Sequence, residues 1–380
     1  MPLIRLDSSD QFPNTVKIIE EGLESGVASA ISGGIYSLSD DRYYLFGRGK
    51  TRLDQSAPEV NEKTRFDLAS LTKVLATTPL FFSAWERGLI DLDDTVGRYF
   101  PEATALRNTP VYSLLAHTSG LPAWKPFFET IRERIPKPLY EVPVEFRQKS
   151  MRGLVLSVEP EYQLGSQCVY SDVGFLILGF ILENIYSEPL DQAVKTHVWR
   201  RMRSHGLTFY RILKSSKENV LPNTAATENC PWRGTLQGQV HDDNCWAMGG
   251  YGGHAGVFGN PLDVLAVAKE LMGSFLMRST KQLMWSRITK PSDCHRTLGW
   301  DGVSPENSSV GTAFSDETFG HLGFTGTSLW IDLKNKVAVT LLTNRVHFSR
   351  ENDKIKRFRP RFHEAIWEEL IRLKGAEFEW

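Results

Sequence analysis

The chain has 380 residues, 41% hydrophobic and 23% charged, which fits a globular protein of roughly two or three domains. A formal net charge of -1 offers no global attraction to nucleic acid or to an anionic membrane, and neither partner is expected. The stretch from Met1 to Asp10 lacks a basic start followed by an apolar core, and no later run is long and uncharged enough to span a bilayer, so a cytoplasmic location is expected.

In chain order, Val16, Ile18, Ile19 and Leu23 recur at helical spacing between Asn14 and Gly26. A strand from Ala28 to Tyr36 then turns at Leu38-Ser39-Asp40-Asp41 into a second, Tyr43 to Gly47. The far end of the chain mirrors this, with strands Gly326 to Leu333 and Val337 to Thr343 around a Lys334-Asn335-Lys336 turn, then a helix from about Arg361 to Leu373. Two strands alone make a marginal sheet, so the two ends are expected to pair into one antiparallel sheet covered by the terminal helices.

Between them helical patterns dominate: Val111 to Ala116, Met151 to Val158, Val173 to Ile185, Leu190 to Val198 and Asp263 to Met272. The fold class expected is therefore α/β (α+β), with a sheet domain from residues 1–66 and 262–380, an inserted mostly helical domain over 67–261, and a site at their junction. Trp124 to Pro143, rich in Pro and aromatics, reads as an irregular wall or lid. Cys168, Cys230, Cys245 and Cys294 are widely spaced with no Cys-x-x-Cys pair, which predicts free, mostly buried thiols and no zinc site.

Three polar stretches are given structural roles. Gly249 to Gly256 follows no clear strand and lacks a Lys-Ser/Thr ending, so tight turns are expected there in place of a phosphate loop. His241-Asp242-Asp243-Asn244 has no partner at metal-ligand spacing and reads as a solvated loop at the cleft edge. The basic run Lys354 to Phe362 reads as a solvated face leading into the last helix. No metal or other cofactor is expected.

The chemistry centres on Ser70-Leu71-Thr72-Lys73, the only Ser-x-x-Lys match in the chain. Val74, Leu75, Leu80, Phe81 and Trp85 continue it at roughly helical intervals to a stop near Gly88. Residues i and i+3 share a helical face, so the serine hydroxyl and the lysine amine can meet within one turn. A hydroxyl becomes a nucleophile when a nearby base takes its proton, and an amine is such a base once burial keeps it neutral.

Two further clusters join it. Tyr170-Ser171-Asp172 precedes an apolar helix and brings a phenol and a carboxylate, although Tyr170 taken in isolation reads as an interface tyrosine with a satisfied hydroxyl. Gly320-His321-Leu322-Gly323-Phe324 opens a strand whose glycines suit a close approach by backbone or ligand. Its edge would present the Phe324 N–H to a substrate carbonyl and His321 to a substrate's polar end.

The order Ser70-x-x-Lys73, Tyr170-x-Asp172, His321-x-Gly323 resembles the serine β-lactamase and penicillin-binding-protein family, in its class C-like, D-alanyl-D-alanine carboxypeptidase and esterase branch. Phe66-Asp67-Leu68-Ala69-Ser70, His117-Thr118-Ser119-Gly120-Leu121-Pro122, Gly253-His254-Ala255-Gly256 and Leu342 to His347 extend the likeness over most of the chain. The resemblance implies that Ser70 forms an acyl-enzyme, that Lys73 and Tyr170 share acid and base work, and that the N–H groups of Ser70 and Phe324 hold the oxyanion. Asp172, His321, Gly323 and Phe324 would contact the substrate, a small molecule or peptide.

The chain departs from the family pattern twice. Asp172 stands where Asn is usual, and is expected to hold Lys73 protonated and move the base role toward Tyr170. His321 stands where Lys is common. Peptidase or amidase action on a cell-wall-derived substrate is therefore expected ahead of strong β-lactamase action, with a carboxylesterase and a non-catalytic binding protein as the competing readings.

Overall fold

The computed structural model describes residues 3–5, 7–135, 137–212 and 221–375. Strands β1 (Leu3–Arg5), β2 (Ala30–Ser37), β3 (Arg42–Gly49), β4 (Asp301–Gly302), β5 (Thr318–Gly323), β6 (Thr327–Asp332) and β7 (Val337–Thr343) form one sheet in the order β1-β3-β2-β7-β6-β5-β4. The expected sheet built from both chain ends is present: β2 pairs antiparallel with β7, with Ile35 opposite Val339 and Ser32 opposite Leu342. Only β1 runs parallel to its neighbour.

Alternation sorts the side chains between two cores. Ile31, Ile35, Val339 and Leu341 join Ile19 of helix α1 (Pro13–Glu24) and, from the C-terminal helix (Ile355–Lys374), Phe358, Phe362 and Ile366. Ala30, Tyr36, Ala338 and Leu342 share the opposite core with Val264, Leu265 and Ala268. These three come from Pro261–Met272, a helix whose Asn260 and Asp263 form a capping box. Covered on both faces, β2 and β7 have no exposed residue.

Among the further helices are α2 (Thr78–Glu86), α3 (Asp172–Tyr186), α4 (Asp243–Ala247), α5 (Pro261–Met272) and α6 (Ile355–Lys374). Helix α2 is preceded by a wider π-helical turn, Lys73–Thr77, and Gly88 ends it with a φ of 67°. Helix α3 is a core helix, buried without a break from Val173 to Leu182. No single helix among the described residues is long and apolar enough to cross a membrane.

Four expectations need correction. The last helix begins at Ile355, not near Arg361, and passes through Pro360; the inward stripe of Ile355, Phe358 and Phe362 repays the hydrogen bond that the proline cannot make. In the basic run, Lys356, Arg357 and Arg361 are exposed, but Arg359 is buried. The Trp124 to Pro143 segment contains a two-turn helix, Phe127–Arg134, because Phe127, Phe128 and Ile131 turn inward; Pro136 lies outside the described residues. Of the four cysteines, Cys168 and Cys294 form a disulfide, while Cys230 and Cys245 are free and buried. A further correction concerns His241 to Asn244, whose environment belongs to the site below.

Alkylation of the denatured, unreduced protein, read as intact mass, should label two of the four cysteines, and all four after reduction. Four labels before reduction would remove the bridge.

Candidate active site

Ser70 sits on a turn fixed from several sides. Asp67, fully buried, accepts the Ala69 N–H at 2.9 Å and the His241 N–H at 2.6 Å, and Ala69 adopts a φ of 47°. A non-glycine residue in that region is uncommon and persists where its surroundings hold it. Burial pushes the Asp67 carboxyl up, opposed by these two N–H donors. Ser70 follows, partly exposed, with Lys73 in the first turn of the helix.

Lys73 is completely buried, and three acceptors surround its amine: Asp172 Oδ1 at 2.6 Å, Ser70 Oγ at 3.1 Å and the His254 carbonyl at 3.1 Å. Burial lowers its pKa below the ordinary value, and Asp172 is the main opposing influence. Desolvation is the larger influence, and the carboxylate moderates it by favouring the charged form. When Lys73 is neutral, two N–H groups can remain on Asp172 and His254 while the lone pair faces Ser70 Oγ, the one neighbour of the three with a proton to give. The Gly249 to Gly256 stretch does form tight turns, with Gly249, Gly250 and Gly256 at positive φ. It also supplies the His254 carbonyl to Lys73 and the Gly253 carbonyl to Thr77 Oγ1 at 2.6 Å.

Tyr170 donates its phenol to Ser70 Oγ at 2.7 Å. Burial, followed by Asp172, pushes its pKa well above the usual phenol value, so it rests as the neutral acid. Its ring has His117 at 4.9 Å and His321 at 5.8 Å between centroids, with Lys73 Nζ at 4.8 Å and the Arg296 guanidinium at 5.2 Å. His117 accepts the Ser171 N–H on Nδ1 at 3.0 Å, holding the loop that carries Tyr170 and Asp172. The disulfide anchors the same loop at Cys168.

The third cluster approaches from the sheet edge. Thr325 Oγ1 donates to the Asp67 carbonyl at 2.7 Å and Thr327 Oγ1 to the Leu68 carbonyl at 3.0 Å. These two hydroxyls tie the Gly323-Phe324 turn to the Ser70 turn. A Cβ at Gly323 would lie 2.0 Å from Thr327 Oγ1 and 2.7 Å from the Leu68 carbonyl, so only glycine permits the approach. Neither the Ser70 N–H nor the Phe324 N–H has a backbone partner among the described residues. They are free to act as a pair of oxyanion donors.

His321, expected at a substrate's polar end, lies beside Tyr170 but is enclosed. It is buried, bonds the Leu322 carbonyl through Nδ1 at 2.8 Å, and is pushed down to about 4 by burial, hence neutral. A second cationic side chain beside Tyr170, after Lys73, is Arg296, partly exposed and paired with Asp301. Phe324 exposes its ring, flanked by Arg345 and stacked on His241 at 5.5 Å.

His241, Asp243 and Asn244 are buried where a solvated loop was expected. They are paired inside the protein: His241 with Glu228 at 2.9 Å, Asp243 with Arg233 at 2.8 Å and Arg350 at 3.1 Å, and Asn244 with Lys125 and Phe128 backbone. Asp242 caps α4 and holds His254 at 2.9 Å. No group of three or more metal-ligating side chains occurs among the described residues.

Residues 18–360 match the family model described as Beta-lactamase. The chain belongs to the beta-lactamase family. A Salmonella agona protein named "Putative D-alanyl-D-alanine carboxypeptidase" is 31% identical over 321 residues, covering 77% of this chain and 72% of that relative. Among solved structures, EstCE1, described as a hydrolase with promiscuous acyltransferase activity, superposes with a TM-score of 0.72 at 21% identity, over 94% of this chain and 99% of its own. The octameric penicillin-binding protein homologue of Pyrococcus abyssi gives 0.69 at 18%, over 96% and 77%. Both show a shared fold, that of a beta-lactamase-type hydrolase family.

The amine at Lys73 can take a proton only in its neutral form, and Asp172 favours the charged form. In Asp172→Asn the Lys73 pKa should fall further, so the acid limb of the kcat/KM profile should move to lower pH. A limb that stays in place would separate Asp172 from the tuning of Lys73.

Proposed function

We propose that this protein is a serine acyl-transfer hydrolase acting on an amide or peptide, of the D-alanyl carboxypeptidase or muropeptide amidase type. The observation that carries the reading is Ser70 Oγ set 3.1 Å from a completely buried lysine amine and 2.7 Å from a phenol. Neutral Lys73 takes the Ser70 proton as Oγ attacks the substrate carbonyl. The negative charge then falls on the carbonyl oxygen, between the Ser70 and Phe324 N–H groups. Tyr170, resting as the acid, gives its proton to the leaving nitrogen and is reprotonated from Lys73, which restores the resting state of both. Water repeats the sequence on the acyl-enzyme.

A substrate ending in a carboxylate is favoured by the position of Arg296, a partly exposed guanidinium beside Tyr170 where the neutral His321 supplies no charge. The 31% identical relative named for D-alanyl-D-alanine carboxypeptidase action supports the same substrate class. The exposed Phe324 ring favours a second reading, a carboxylesterase on the same machinery, because it offers an apolar acyl group contact next to the oxyanion donors.

Turnover of diacetyl-lysyl-D-alanyl-D-alanine and of p-nitrophenyl butyrate separates these readings. Ser70→Ala should lose about a thousandfold or more of kcat on whichever substrate is used, with an unchanged Tm. Arg296→Ala should raise KM for the peptide and leave the ester untouched. Full activity in Ser70→Ala would end the proposal.

A further inference from the structure

One buried charge that the chemistry above does not use is Arg359, on α6. It lies behind the turn that presents the Phe324 N–H. Its Nη2 donates to the Thr327 carbonyl at 3.1 Å and reaches the Gly323 carbonyl at 3.4 Å. No carboxylate pairs with it among the described residues; the charge it feels most is another cation, Arg345. Burial brings it down to about 9, which leaves the guanidinium charged at neutral pH.

Satisfying carbonyls does not explain this arrangement. The Gly323 carbonyl already accepts the Gly326 N–H at 3.0 Å, and an unpaired buried cation is a costly way to bond a second one. What the guanidinium adds is charge at one end of a single peptide unit. The Gly323 C=O and the Phe324 N–H belong to that unit, and in a trans peptide they point in opposite directions. A cation on the oxygen draws electron density toward it and leaves the N–H a stronger donor.

We infer that Arg359 is a positioning residue for acyl transfer, a buried cation that polarises the Gly323–Phe324 peptide from behind and so strengthens the Phe324 N–H against the oxyanion. This rests on the serine-hydrolase reading. Its effect is greatest where the carbonyl oxygen carries most charge, which is the transition state, so it acts on kcat more than on KM.

The test compares wild type, Arg359→Gln and Arg359→Lys on p-nitrophenyl butyrate, with Tm as the fold control. Gln keeps a donor for the carbonyls and removes the charge; kcat should fall roughly 10- to 100-fold with KM within about twofold. Lys keeps the charge and should restore most of kcat at low pH. A buried lysine neutralises more readily than arginine, so the ratio of Arg359→Lys to wild-type kcat should fall as pH rises. A folded Arg359→Gln with wild-type kcat, a loss confined to KM, or a pH-independent ratio for Arg359→Lys would each overturn the inference. Should Arg359→Gln not fold, the ratio for Arg359→Lys decides alone. A wild type that turns over no ester or peptide would instead defeat the hydrolase reading.

Discussion

Placing a lysine amine out of water beside a serine is the constraint on which the rest of this structure depends. Lys73 has no exposed surface, and every direction in which its amine could donate is occupied by Asp172, Ser70 or the His254 carbonyl. Burial alone would make it a weakly held cation; the carboxylate at 2.6 Å limits how far that goes. The result is an amine that, once neutral, can accept only from Ser70. Three separate parts of the chain must converge to enforce this: the first helical turn, the loop before α3 and the glycine turns at 249–256. The wider helical turn Lys73–Thr77 begins at this residue, and the Gly253 carbonyl accepts from Thr77 at its other end.

The second constraint is registration between the Ser70 turn and the sheet edge. Oxyanion donors are useful only when two N–H groups from different segments point at one position. Here the Thr325 and Thr327 hydroxyls hold the carbonyls of Asp67 and Leu68, and the missing side chain of Gly323 lets the two turns touch. Asp67 fixes the other end of the same turn through the N–H groups of Ala69 and His241. The polar run at 241–244 thus belongs to the support of the nucleophile, held by its own internal ion pairs.

What was legible in the sequence follows from locality. The paired strands at both ends showed themselves through the turns at Leu38-Ser39-Asp40-Asp41 and Lys334-Asn335-Lys336, and Ser70 with Lys73 through one helical turn. Tyr170 and Asp172 were visible as a polar pair before an apolar helix. Interactions that join distant segments were not: Cys168 and Cys294 are 126 residues apart, and nothing in their spacing announces a bridge. His241 to Asn244 looks solvated until Glu228, Arg233 and Arg350 are seen to pair with it. Arg359 was hidden in a basic run, yet Ile355, Phe358, Phe362 and Ile366 carry a helical stripe straight across Pro360, and that stripe would have placed Arg359 on the inner side. The burial of His321 was not legible, because the strand's edge suggested access where the ring of Tyr170 packs beside it.

The central claim is that the burial of Lys73 makes Ser70 the nucleophile. The most direct measurement is the rate at which a fluorophosphonate labels the protein as a function of pH, with the modified peptide identified by mass. The account predicts a single adduct on Ser70, and a labelling rate that rises through one ionisation below the ordinary lysine value of 10.5 and collapses in Lys73→Met. Labelling at another residue, or at Ser70 with a rate indifferent to Lys73, would contradict it.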